Sequence, residues 1–184
     1  MNFQAKLCLF LAVLLLVPAM LFSCGGKTEE GIPVPSGMQA IASEAGDYYL
    51  MVPAAWTVDT TKGMTSAYAE DAAKSSVTVC ANELTRDIVT IEQYWESFSE
   101  QFKATFADFA MIDAEPTDVV LEKAEAEGKK YRYTATVGDV KYQWMQVLFI
   151  RNATLYIVTY TSTAESYESN LDDVNKILGE LIFR

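Results

Sequence analysis

Three long segments joined by two-residue connections constrain the fold of this chain more than any other feature. Lys130 to Val137, Val140 to Arg151 and Thr154 to Thr163 are rich in β-branched and aromatic residues, the side chains that favour strands. Gly138-Asp139 and Asn152-Ala153 separate them, and two-residue connections of this kind close β-hairpins. Such short links leave no length for a crossover, so the three segments predict an antiparallel meander. In the middle segment Tyr142, Trp144, Gln146, Leu148 and Ile150 alternate with Lys141, Gln143, Met145, Val147 and Phe149. Both sets turn apolar towards the end, which predicts a central strand covered on both faces.

The covers are also legible. Thr90 to Phe109 reads as a helix: Thr90 and Gln93 fit a capping box, and Ile91, Trp95, Phe98, Phe102, Phe106 and Phe109 recur at three- and four-residue steps. Such a stripe normally faces the core, so Phe102 is expected to be buried and Glu100 solvated. A second helix is predicted over Ala164 to Leu181, with Tyr167, Leu171, Val174, Ile177, Leu178 and Leu181 on its apolar face. Earlier strands are expected at Met38–Ala42, Gly46–Pro53 continuing through Ala54–Val58, Met64–Glu70 and Ser75–Asn82. Ala72 to Ser75 makes a hairpin connection. Pro116–Leu121 is a further short strand, and residues 122–130 read as a charged turn.

The amino-terminal segment concerns location. One positive charge lies in Met1 to Lys6, an apolar run follows from Leu7 to Phe22, and the run closes on Leu21-Phe22-Ser23-Cys24. A short basic stretch, an apolar run and a small residue describe a secretory signal peptide, here residues 1–23. A cysteine immediately after the cut resembles the lipobox of bacterial lipoproteins. That resemblance implies diacylglycerol attachment at Cys24, cleavage before it, and an extracytoplasmic protein held on a bacterial cell membrane or outer membrane. A plain transmembrane anchor fits less well, because Pro18 interrupts the run and Lys27 is the only basic residue shortly beyond it. Residues 24–44, with Pro33 and Pro35, read as a flexible tether that reaches at most about 70 Å when fully extended. Residues 45–184 are expected to form the folded domain.

Charge and chemistry narrow the function. The signal holds Lys6 of the chain's 14 basic residues and none of its 25 acids. The mature chain therefore carries a formal net charge of −12, which repels phosphate backbones and anionic lipid headgroups. Nucleic-acid binding is not expected, and attachment to a membrane would rest on acyl chains. Histidine is absent, which removes His-based triads and His metal ligands. With Cys8 in the signal and Cys24 lipidated, Cys80 has no disulfide partner; it reads as a small buried side chain. No G-x-S-x-G, P-loop, G-x-G-x-x-G or S-x-x-K motif occurs. No enzyme, cofactor or metal site is expected.

The order of elements, with Tyr48-Tyr49-Leu50-Met51-Val52-Pro53-Ala54-Ala55-Trp56, the Phe-rich helix, Lys130-Tyr131-Arg132-Tyr133 and the terminal Ile177 to Phe183 segment, resembles the PsbP-like superfamily over roughly residues 45–184. The resemblance implies an α+β fold: an antiparallel β-sheet with helices packed on both faces, an α/β/α sandwich. It supplies a tendency to act by binding, and no segment matches functional residues that would carry over. Within that frame Pro53 ends a strand and Trp56 plugs the core. Asp108, Asp113, Glu115, Asp118, Glu122, Glu125 and Glu127 lack the spacing of a calcium loop and read as solvated charge. Asn152-Ala153-Thr154 matches a glycosylation sequon but reads as a turn. The leading expectation is a lipid-anchored binding or adapter protein of the cell envelope with a protein partner met through the sheet edge or the helix-flanking loops. The alternative is a carrier of an apolar small molecule between sheet and helix; an enzyme resting on a carboxylate pair ranks last.

Overall fold

The computed structural model describes residues 32–42, 47–60, 64–85, 88 and 90–184. The elements run β1 (Met38–Ala42), β2 (Tyr48–Pro53), β3 (Thr57–Asp59), β4 (Thr65–Tyr68), β5 (Ser76–Glu83), α1 (Ile91–Thr105), β6 (Ala110–Met111), β7 (Thr117–Leu121), β8 (Ala126–Val137), β9 (Val140–Arg151), β10 (Thr154–Thr163), α2 (Leu171–Gly179) and β11 (Ile182–Phe183). The signal segment, Cys24 and the start of the tether lie outside the described residues.

The meander is present as expected. Gly138 at φ 62°, and Asn152 and Ala153 at φ 49° and 58°, give the positive φ values that let tight hairpins follow the twist of their strands. Tyr133 faces Trp144 across β8–β9, and Trp144 faces Thr161 across β9–β10. The large sheet has the order β3-β4-β5-β10-β9-β8-β6, with β7 also paired to β8, and every pairing is antiparallel. Strand β9 is central, and Trp144, Met145, Val147, Leu148 and Phe149 are all buried.

Alternation along these strands sends side chains to two cores. On one face Phe98 and Phe102 of α1 pack with Tyr131, Tyr133, Trp144, Leu148, Leu155 and Ile157. On the other, Val77, Val79, Met145, Val147, Phe149, Tyr156 and Val158 pack with β2 and with Val174, Ile177 and Leu178 of α2. The fold is thus α+β with a helix on each face of an antiparallel sheet. A small sheet of order β1-β2-β11 shares the α2 face. Trp56 is buried in that second core and Pro53 ends β2, as the sequence implied. Cys80 is buried.

Several boundaries differ from the sequence reading. Met38–Ala42 is the expected strand, paired to β2, and it lies within residues 24–44. Residues 122–130 are not all turn: Glu122 to Glu125 turn, and β8 starts at Ala126, because Ala126 to Lys130 pair with Leu121 to Thr117. Gly128 sits at this crossing. A Cβ there would lie 2.3 Å from the Leu148 carbonyl oxygen, so only glycine lets β9 approach so closely.

The second helix is shorter than Ala164 to Leu181. Residues 167–170 form a 3-10 turn, closed by short backbone bonds such as Ser169 N–H to the Ser166 carbonyl at 3.1 Å and tied down by side chains. Tyr160 Oη donates to the Tyr167 carbonyl at 2.8 Å, and Asn170 Nδ2 donates to Asp71 Oδ2 at 2.7 Å. At the other end Ile182 and Phe183 pair with Tyr49 and Tyr48, and Phe183 packs edge-on against Tyr156 at 4.8 Å. The helix α1 also stops early, at Thr105, with the Phe106 N–H still bonded to the Phe102 carbonyl at 2.8 Å.

Candidate functional site

Apart from Cys24, the residues singled out for their chemistry lie among those described. Helix α1 begins where expected: Thr90 accepts from the Gln93 N–H, and Gln93 Oε1 accepts from the Thr90 N–H, both at 3.2 Å. Its buried residues are Tyr94, Phe98, Ser99 and Phe102. Trp95 is half-buried and stacks on Tyr131 at 3.9 Å. Phe102 touches Phe98, Tyr133 and Trp144 at 5.2–5.4 Å between ring centroids. Phe106 and Phe109 lie beyond the helix yet still meet Phe102, at 4.7 and 5.6 Å. The aromatic stripe is therefore core rather than an open groove.

Beneath α1 the sheet face is more polar than the sequence reading anticipated. Ser66, Thr78, Thr159 and Gln146 occupy facing positions on β4, β5, β10 and β9, and all four are buried. Ser66 and Thr78 share a hydrogen bond of 3.0 Å, and Gln146 Nε2 donates to Thr159 Oγ1 at 3.3 Å. Burial pushes the Tyr133 hydroxyl well above its ordinary pKa. Burial and the nearby Glu92 charge push Tyr131 up to about 12, so both rings stay neutral at physiological pH. The row was readable only as alternation in single strands; its continuity needs the register.

The acids named from the sequence do not come together. Asp108 accepts from the Thr136 hydroxyl and N–H at 2.6 and 3.0 Å. Asp113 receives two parallel bonds from Arg132, at 2.7 and 2.8 Å, and these hold its carboxyl below the usual range against partial burial. Asp118 pairs with Lys129, and Glu180 with Lys123. Among the described residues no group of three or more Cys, Asp or Glu side chains is placed to hold a metal ion. None of the described helices is long and apolar enough to cross a membrane.

The surface feature that remains is an edge. Among the described residues β7 pairs with β8 alone, leaving its other side open. Leu121 is buried and Val119 packs against the α2-side core, so Asp118 and Val120 turn to the opposite face. Val120 is 65 % exposed, the most exposed large apolar side chain described.

Comparison with solved structures agrees with this architecture. Cyanobacterial PsbP (CyanoP) from Synechocystis sp. PCC 6803 superposes with a TM-score of 0.59 at 15% identity, covering 89% of this chain and 99% of that one. The fold is PsbP-like. A protein of unknown function from Pseudomonas aeruginosa, PA94, gives 0.55 at 15% identity, with 81% and 99% covered. A Bacteroides thetaiotaomicron protein gives 0.56 at 9% identity; this chain spans about half of it, 49%, over 80% of its own length. No family model matches the sequence, and no curated protein matches it. Similarity at these identities speaks for the PsbP-like fold alone.

Proposed function

We propose that this protein is a lipid-anchored, extracytoplasmic binding or adapter module of the bacterial cell envelope. The observation that carries the reading is Cys24, placed directly after an apolar run and Ser23 and ahead of a domain whose first strand begins at Met38. Thirteen residues separate Cys24 from Met38. As a flexible coil such a link spans about 20 Å, enough to hold the domain beside a membrane while leaving it free to turn. Two acyl chains make such attachment stable where one is marginal. The partner is another envelope protein. The test is fractionation of wild type and Cys24→Ala, combined with crosslinking in intact cells. Wild type should sediment with membranes and crosslink to a discrete partner, and Cys24→Ala should be released or left uncleaved. A fully processed Cys24→Ala protein that stays on the membrane would contradict the anchor.

A further inference from the structure

The five edge strands of the two sheets differ in how open they are. Strands β3, β6 and β11 have three, two and two residues, too short to template much pairing. Strand β1 has five, but none of its side chains is exposed, and Gln39 is tied to the Trp56 carbonyl at 2.8 Å. Strand β7 also has five residues, Thr117-Asp118-Val119-Val120-Leu121, and three of them are exposed. Natural edges are usually blunted by lysine, proline, a bulge or a cover. Strand β7 contains no lysine or proline, and its two valines have high strand propensity.

Charge around this edge indicates what fits it. Residues 115–130, which span β7 and the stretch of β8 paired to it, hold five acids, Glu115, Asp118, Glu122, Glu125 and Glu127, and three lysines. All five acids are exposed. Two of the lysines are already engaged, Lys129 by Asp118 and Lys123 by Glu180. A second copy of this chain would bring two such acidic segments together, which like-charge repulsion opposes. A basic segment would be drawn in.

We propose that the free edge of β7 is a docking site for an extended, basic segment of a partner protein, which adds to the large sheet as a further strand. The inference rests on the reading of the domain as a binding module and assigns the surface. Main-chain hydrogen bonds supply affinity in strand addition, and alternate side chains supply specificity. Asp118 and Val120 lie on one face, two residues apart, so the segment should place an apolar residue opposite Val120 and Lys or Arg opposite Asp118, whose exposed carboxylate it would share with Lys129.

The probe is a synthetic proline-free heptapeptide of alternating lysine and valine, with a glutamate–valine counterpart as comparison. Binding is followed by fluorescence anisotropy, and amide hydrogen exchange is read at residues 117–121. The lysine peptide should bind and slow exchange in β7, and the glutamate peptide should not. Val120→Lys should weaken binding at least tenfold. Val140→Lys, which adds the same charge at another exposed valine, should leave binding within twofold. Equal loss in both variants, protection outside β7, no binding of the lysine peptide, or a wild-type dimer that Val120→Lys dissociates would each overturn the proposal. In-cell crosslinking separates the two readings. A partner captured equally by wild type and Val120→Lys retains the binding module and removes the β7 edge; no partner captured by either removes the module itself.

Discussion

Phe102 is where the packing of α1 can be put to a number. It is buried at 2 % exposure, among Phe98, Phe106, Phe109, Tyr133 and Trp144. Phe102→Ala removes a ring that every neighbour touches and should cost about 3–5 kcal/mol. Glu100 is exposed on the same helix, and Glu100→Ala should stay within about 0.5 kcal/mol. Urea denaturation of the two variants measures both; equal small effects would mean the stripe is not core. Gly128 offers a second test. A methyl group there collides with the β9 backbone at Leu148, so Gly128→Ala should lower stability by about 1–3 kcal/mol through overpacking, seen as a lower denaturation midpoint with circular dichroism retained. The sequence locates the stripe and its buried middle at Phe102, but not which aromatic of the first turn is buried. Periodicity chose Trp95, whereas Tyr94 is buried and Trp95 half-buried, because Trp95 leans onto Tyr131 at the border of the layer. Trp and Tyr share a helical period equally well, and only the opposing strand decides which turns inward.

At the scale of elements, local signals located starts better than ends. The capping box at Thr90 and Gln93 is visible in four residues and appears in the structure as two reciprocal bonds. Thr90→Ala should cost about 1 kcal/mol, measurable by thermal unfolding. The apolar period runs past the end of α1 because Phe106 and Phe109 keep touching the same core after the helix has stopped. Helix α2 starts later than its apolar period suggests, because residues 167–170 are drawn into a 3-10 turn that Asp71 and Tyr160, 99 and 7 residues away along the chain, help to hold. Asp71 makes that link testable by pH. Burial pushes its carboxyl up, but hydrogen bonds from Ser75, Asn170 and Lys74 outweigh burial and leave it below the usual carboxylate value. A depressed folded-state pKa contributes stability above the unfolded value of about 3.9, and the contribution is lost as pH falls through the folded value. Wild type should therefore exceed Asp71→Asn in stability at pH 7, and the gap should narrow steadily below about pH 4. A constant gap down to pH 2 would mean that the carboxylate charge plays no part.

For the whole molecule, the meander, the central β9 and the two helical covers were legible because each is written locally, in alternation, turn residues and helical period. The small sheet was not, since β11 is two residues long and its pairing with β2 joins segments more than 130 residues apart. Nor was the open edge of β7, because residues 122–130 carry so many charges that the strand start at Ala126 is hidden. The register with β8, and with it the exposure of Val120, is set by tertiary contact alone. The proposed lipid anchor outside the cytoplasm is tested most directly by one measurement: the intact mass and amino-terminal peptide of the protein purified from its own host. The account predicts a chain beginning at Cys24 with a diacylglyceryl thioether on that residue. A chain beginning at Met1, or a Cys24 thiol free of lipid, would contradict it.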